Sequence, residues 1–273
     1  MNEGWTIPEN NNWSISDDAR NSWDRKVPYY MRVRDHFETM IKTGALKTGR
    51  RLPPERVLAQ EFSITRVTAR RALLQLEAEG LIFREERRGW FVSPPRVRYD
   101  PTANTSFTES IAEQGRVAGT TVLATQKLPA SPWQATQLGC APGDPVFVID
   151  RSRSVDGRVV LVEKIHVLAA RCSSLLSFPL DQSMTDLMAR EFGIIEHRAQ
   201  IDMRPTALAM GPAKILGVAV GTPGLYLSRT IRDQFNTIVE LDEEFWRHDA
   251  ITISISGGAR HDDTVNRSYI PVG

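Results

Sequence analysis

Between Val27 and Pro95 the apolar residues fall at helical spacing three times over. In PYYMRVRDHFETMIKTGAL, Tyr30, Val33, Phe37, Met40 and Ile41 recur at intervals of three and four, and Gly44 ends the run. LPPERVLAQEF predicts a short second helix, with prolines at its start and Val57, Leu58 and Phe62 on its inner side. SITRVTARRALLQLEAEG predicts a third helix. Thr65 is its N-cap, Ala69, Leu73 and Leu76 face the core, and Gly80 closes it. Two short extended pieces, LIFRE and GWFVS, follow, joined by the charged turn EERR. Three helices and a hairpin in this order describe a winged helix-turn-helix.

From Arg96 onward the pattern is mixed. TTVLATQKL, PVFVIDRSRSV, RVVLVEKIHVL, GLYLSRTIR and IVELDEEFW read as strands. FTESIAEQG, SPWQATQLG, SMTDLMAREFG and MGPAKILGV read as helices, several closed by glycine. VDGR (155–158) between two strong strands is a hairpin turn. The pattern predicts an α+β domain on an antiparallel sheet. The first 27 residues, rich in Asn, Ser and Asp with isolated Trp5, Trp13 and Trp23, predict a disordered tail, with a tryptophan docking patch as the alternative. Residues 257–273 predict a second tail. The expected boundaries are therefore 1–27, 28–95, 96–256 and 257–273.

Charge changes this picture in one place. The net charge of +1 hides 13 Lys/Arg against 8 Asp/Glu in residues 28–95, 3 against 5 in residues 1–27, and 18 against 20 in residues 96–273. A basic module beside a mildly acidic one points to a polyanionic partner for the first only. No apolar run reaches the roughly 20 residues needed to span a bilayer, and the polar N-terminus is not a signal peptide. Two distant cysteines, Cys140 and Cys172, form no CxxC pair, so no disulfide framework or zinc knuckle is implied. The expectation is a cytoplasmic protein without a membrane partner.

Arg66 and Arg70 lie four apart, opposite Leu73 and Leu76, at the N-terminal end of the third helix. A solvated helix face is the ordinary explanation of such a pair. In a helix-turn-helix, however, that end meets base edges in the major groove. There arginine can pair with guanine O6 and N7, while Thr65 and Thr68 can donate to phosphates. The tip Arg87-Arg88-Gly89 suits a wing.

The LPPER turn, ITRVTARRAL, EGLI and RRGWFV together resemble the DNA-binding domain of the GntR family over residues 28–93. The resemblance implies DNA contacts from Arg56, Thr65, Arg66, Val67, Thr68, Arg70, Arg88 and Gly89, made by a homodimer on a pseudo-palindromic double-stranded operator. Two departures occur. Ser63 stands where the family has a turn glycine, and Trp90 stands where a threonine follows the wing glycine. Trp90 is expected as a hydrophobic plug beneath the wing.

In VFVIDRSRSV an apolar run continues into Arg151 and Arg153, which share one strand face. Two half-buried guanidiniums need an anion, either an internal carboxylate or a ligand. In IVELDEEFW, alternation puts Glu240, Asp242 and Glu244 on one face and Leu241 and Phe245 on the other.

The second module resembles the ligand-binding (UTRA) domain of the HutC subfamily of GntR regulators, which shares a chorismate-lyase-like fold. The resemblance implies an effector site at Ser106, Phe107, Arg151, Arg153, Glu163, Ser183 and Glu240, with Asp242 and Trp246 on the same strand completing it. Internal salt bridges from Arg151 and Arg153 to Glu163 or Glu240 are the alternative. RRGWFVSPP, YDPTANTSF and EEFWRHD are similar to regulators associated with phosphonate utilisation. This similarity implies a small anionic or zwitterionic effector, 2-aminoethylphosphonate or a relative. A sugar phosphate is the runner-up, and a small-metabolite enzyme of the same fold comes third. No Ser-His-Asp, metal-ligand or phosphate-loop motif appears, and His36, His166, His197, His248 and His261 are scattered, so no catalytic residue, metal or cofactor is expected.

Overall fold

A computed structural model describes residues 26–85, 88–103 and 105–255. Residues 1–25 of the expected N-terminal tail, including Trp5, Trp13 and Trp23, the expected C-terminal tail and the wing-tip residue Arg87 lie outside the described residues.

The N-terminal unit holds α1 (Tyr29–Lys42), α2 (Glu55–Glu61), α3 (Arg66–Ala78) and a hairpin of β1 (Ile82–Glu85) and β2 (Gly89–Val92). Val33, Phe37, Leu58, Phe62, Ala69, Leu73 and Leu76 close its core at 2% exposure or less, as their spacing predicts. Trp90 is 6% exposed within the same core, so it is the plug beneath the wing. Residues 50–52 extend the hairpin: Leu52 N donates to Trp90 O at 2.8 Å and Val92 N to Arg50 O at 2.9 Å. Ser63 adopts φ 51°, which explains why glycine suits this turn.

β3 (Val97–Tyr99) leads out of this unit and pairs in parallel with β10 (Ile251–Ile253). Between them α4 (Phe107–Glu113) precedes β4 (Ala118–Pro129), α5 (Pro132–Leu138), β5 (Pro145–Val155) and β6 (Arg158–Leu168). Then come α6 (Met184–Phe192), β7 (Glu196–Ala207), α7 (Met210–Leu216), β8 (Pro223–Asp233) and β9 (Ile238–Arg247). The sheet is antiparallel in the order β4-β5-β6-β9-β8-β7. Asp156 and Gly157 both have positive φ, the conformation a two-residue hairpin between twisted strands requires.

The central strands are buried on both faces because helices cover both. Phe147, Ile149, Ile165 and Val167 pack with Leu187 and Met188 of α6 on one side. On the other, Val146, Val148 and Leu241 meet α5, and Val162 and Phe245 meet α7. Ser106, Ser131 and Ser183 cap α4, α5 and α6 by accepting backbone N–H groups, so the local sequence sets where each begins.

Three strands were not among the expected elements: the three-residue β3 and β10, and the long β7. β7 pairs with β8 from Glu196↔Asp233 to Ala207↔Pro223. It is an edge strand whose described side chains are exposed or half-buried, so no inward-facing alternation marks it. It also contains Pro205, which only an edge tolerates.

Candidate DNA-reading surface and effector cavity

The residues expected to meet DNA lie on α2, at the start of α3 and on the wing, and those on the two helices are brought close where Arg70 approaches Glu55. Thr65 caps α3, its Oγ1 accepting from Thr68 N at 3.1 Å and lying 2.9 Å from Thr68 Oγ1. Arg56, Arg66, Val67 and Arg70 project outward, Val67 at 78% exposure. An apolar side chain so exposed on an otherwise amphipathic helix gains nothing from the core and is free to meet a partner. Arg70 lies 3.9 Å from Glu55, and Arg88 on the wing pairs with Glu85; both arginines remain largely in solvent. Gly89 has φ 104°, and a Cβ there would meet the Arg51 guanidinium at 3.4 Å. That contact is ordinary van der Waals distance, so it is the positive φ that favours glycine here.

The effector candidates converge as completely, by a different route. Ser106, Phe107, Arg151, Arg153, Glu163, Ser183, Glu240, Asp242 and Trp246 all line one cavity of about 60 Å³. Its floor is one face of four adjacent strands. Register places Arg151 beside Glu163, Glu163 beside Glu244, Ile165 beside Asp242, and Asp242 beside Arg229. Ser106 and Ser183 sit at the rim as helix caps. Phe107 lies under the Arg153 guanidinium, 5.0 Å from ring centroid to Cζ.

Both arginines of β5 have an internal anion. Arg151 donates through Nε to Glu163 Oε1 and through Nη1 to the carbonyls of Leu180 and Gln182, each at 3.0 Å. Arg153 donates to the same Glu163 oxygen at 2.9 Å and to Thr120 Oγ1 at 3.3 Å. Burial pushes the Glu163 carboxyl up, but the attraction of Arg153 and Arg151 outweighs it and holds the group below the usual carboxylate range. The internal pairing that the sequence left open is therefore present, and the same side chains also face the cavity.

The acids of β9 behave oppositely. Burial raises the Asp242 carboxyl well above its ordinary range, and the neighbouring Glu240 charge adds to the effect. Glu240 is raised by burial as well. Burial pushes Glu244 up to about 7, although Arg229 opposes it. Like charges on one buried strand face ionise together only at high cost. Burial thus favours the protonated form of all three acids, and Arg151, Arg153 and Arg229 line the same cavity. Asp242 Oδ1 is buried without a hydrogen-bond partner, a group that a ligand donor would satisfy.

Sequence reasoning missed Arg229 and Tyr99 as cavity-lining residues, and placed Glu244 on the acidic strand face without adding it to the expected site. Arg229 donates through Nη2 to Tyr99 Oη and lies 3.8 Å from Glu244; Trp246 Nε1 donates to Glu244 Oε2 at 2.6 Å. The signal for Arg229 was available. It sits between Leu227 and Ile231 on one face of a strand, the pattern that singled out Arg151. Tyr99 lies on a three-residue strand too short to carry a pattern. No group of three or more metal-binding side chains occurs among the described residues, and no helix there is long and apolar enough to cross a membrane.

Comparisons with known proteins agree with this division. Residues 29–92 match the family model of gntR-family bacterial regulatory proteins, and residues 113–252 match the UTRA domain. HTH-type transcriptional repressor NagR of Bacillus subtilis is 31% identical over 226 residues, spanning 83% of this chain and 93% of its own. The mannosyl-D-glycerate transport/metabolism system repressor MngR of Escherichia coli is 34% identical over 72% of this chain and 82% of its own. The crystal structure of PhnF from Mycobacterium smegmatis is similar at TM-score 0.60 and 28% identity, covering 83% of this chain and 99% of that one. The chain belongs to the GntR family of bacterial regulatory proteins, as a DNA-binding transcription regulator whose helix-turn-helix is joined to a UTRA domain.

Proposed function

We propose that two copies of this chain bind a pseudo-palindromic operator in the cytoplasm and that a small zwitterionic phosphonate, 2-aminoethylphosphonate or a relative, occupies the cavity and controls phosphonate-utilisation genes. Arg56, Thr65, Arg66, Val67, Thr68, Arg70, Arg88 and Gly89 make the operator contacts, with Arg66 and Arg70 aimed at base edges. The action is repression, in keeping with the names of NagR, PhnF and MngR. The effector acts by shifting the population of head orientations.

The observation that carries the effector assignment is the charge arrangement of the cavity. Three arginines share one face with Glu163, while three further carboxyls, all raised by burial, face the same space. A phosphonate supplies the oxygens that guanidinium forks and the Ser106 and Ser183 hydroxyls can meet. An ammonium on the same molecule supplies the donor that Asp242 Oδ1 lacks. A sugar phosphate or another carboxylate or phosphate metabolite is the second reading, and a relative named for mannosyl-D-glycerate, a sugar that carries a carboxylate, is in keeping with it. In that case the β9 acids stay protonated and bond to hydroxyls.

A thermal-shift screen separates the two, because a ligand that binds only the folded chain raises its melting temperature. The expected result is a rise with 2-aminoethylphosphonate that exceeds the rise with sugar phosphates at equal concentration. A rise with sugar phosphates alone overturns the phosphonate assignment.

A further inference from the structure

The C-terminal end of α3, the helix that carries Arg66 and Arg70, rests against the end of β9. His248, one residue past β9, places Nε2 2.9 Å from the Glu77 carbonyl oxygen in the last turn of α3. Its Nδ1 lies 2.9 Å from the Pro223 carbonyl at the start of β8. Arg96, just before β3, donates through Nη2 to the Glu79 carbonyl at 2.7 Å. Phe83 of β1 lies beneath two guanidiniums of the effector domain, Arg158 at 4.2 Å and Arg247 at 5.6 Å from its ring centroid. Asp249, 2% exposed, fixes both: Arg247 Nε reaches Oδ1 at 3.0 Å, and Arg158 Nη2 reaches Oδ2 at 2.5 Å.

This joint is built rather than incidental. The last carbonyls of a helix have no partner within it and carry the negative end of its dipole. Here Arg96 and His248 meet carbonyls of that pole, and Arg158 and Arg247, held by Asp249, stack on Phe83 of the strand that follows α3. Gly80 completes the fit. With φ 72° it favours glycine already, and a Cβ there would lie 2.4 Å from Arg96 Nη2 and 3.2 Å from Asp249 Cα. Through β9, the joint is continuous with the cavity: Glu240, Asp242, Glu244 and Trp246 line the cavity, and the next residue, Arg247, is in the joint.

We propose that Arg247, His248 and Asp249, with Arg96 and Arg158, clamp the C-terminal pole of α3 and fix the orientation of the DNA-reading helix, and that β9 carries changes in the cavity to this clamp. The clamp itself stands on contacts within the chain. Its link to an effector rests on the reading of the cavity given above.

Hydrogen exchange of the full chain, with no DNA and no ligand present, tests the clamp apart from that reading. His248→Phe keeps a ring but removes the two nitrogens that face the carbonyls; Phe83→Leu removes the surface on which the guanidiniums stack. Each is expected to speed exchange at the amides of residues 79–81, whose N–H groups bond back into α3, about ten-fold or more. Each is also expected to change affinity for an operator duplex, selected from a random pool with the parent protein, at least about five-fold, although neither residue belongs to the DNA-reading set. For variants folded by circular dichroism, either measurement staying within two-fold of the parent overturns the clamp. Glu244→Gln tests transmission. Altered exchange at residues 79–81 supports β9 as the link, and unchanged exchange overturns it.

Discussion

The two functional regions use arginine in opposite ways. On the candidate DNA-reading surface Arg56 and Arg66 stand in solvent, and Arg70 stays largely exposed although Glu55 lies 3.9 Å away. In the cavity Arg151 and Arg153 are 1% and 7% exposed and share a carboxylate supplied by the fold. Solvated guanidiniums cost the fold almost nothing, so they can be spent wholly on recognition. Buried ones must first be compensated from within. A mutation on the first surface should therefore change binding and spare stability, whereas one in the cavity should change both.

The largest test of that contrast is Glu163→Ala. Removing the carboxylate strands two guanidiniums in a nearly dry site, and breaking a buried pair of this kind costs about 3–5 kcal/mol. Chemical denaturation should show the loss directly. A variant within about 1 kcal/mol of the parent would mean that water or Glu240 replaces Glu163 and that the cavity arginines resemble the surface ones after all.

Glu244→Gln is expected next in size, with the opposite sign. Its carboxyl is held up to about 7 against an ordinary 4.5 by burial. A carboxyl raised on folding stabilises the fold fully below about pH 4.5, and that contribution is lost as pH rises through about 7. The amide removes this loss while still able to accept from Trp246 Nε1. Near pH 8 the variant should therefore be more stable than the parent by up to about 3 kcal/mol, with the gap closing below pH 5. Melting temperatures across this range check it, and parallel curves for the two proteins refute it.

Arg66→Ala belongs to the other region. A bidentate arginine–guanine contact discriminates by about 1–3 kcal/mol, so operator affinity should fall roughly 5- to 150-fold in a gel-shift titration. Stability should stay within about 0.5 kcal/mol, because the side chain is exposed and buries nothing in the core. An unchanged affinity would remove Arg66 from the reading surface. Loss of stability together with affinity would erase the distinction between the regions.

The same contrast explains what could be read in the sequence. The DNA-reading surface is local: Arg56 to Arg70 span two short helices, and their placement follows from 3.6-residue periodicity and one N-cap. The cavity gathers residues from Tyr99 to Trp246 across four strands of a sheet. Each strand announced its own inward face, which is why Arg151 with Arg153 and Glu240 with Asp242 were legible. Their pairing depends on register, which long-range backbone hydrogen bonding sets. Thus Glu163 beside Glu244 and Asp242 beside Arg229 could not be seen before the sheet was assembled. β7 was invisible for a related reason. An edge strand with solvent on most of its side chains is defined by its partner, β8, and not by its own composition.

The smallest expected effect sharpens the local side of the comparison. Ser63 holds φ 51° in the turn that aims α3 at its target, a conformation that costs a non-glycine residue about 1 kcal/mol or more. Ser63→Gly relieves that strain but frees the unfolded chain, which takes back about 0.4–1 kcal/mol. The net gain should be about 0.5 kcal/mol, visible as a melting temperature a degree or two higher for a domain of this size. Operator affinity should not move, since the turn geometry is already that of the glycine it replaces. A loss of stability would show that the serine side chain holds the turn through its own polar contacts. The departure from the family pattern would then be a substitute for glycine in mechanism as well as in position.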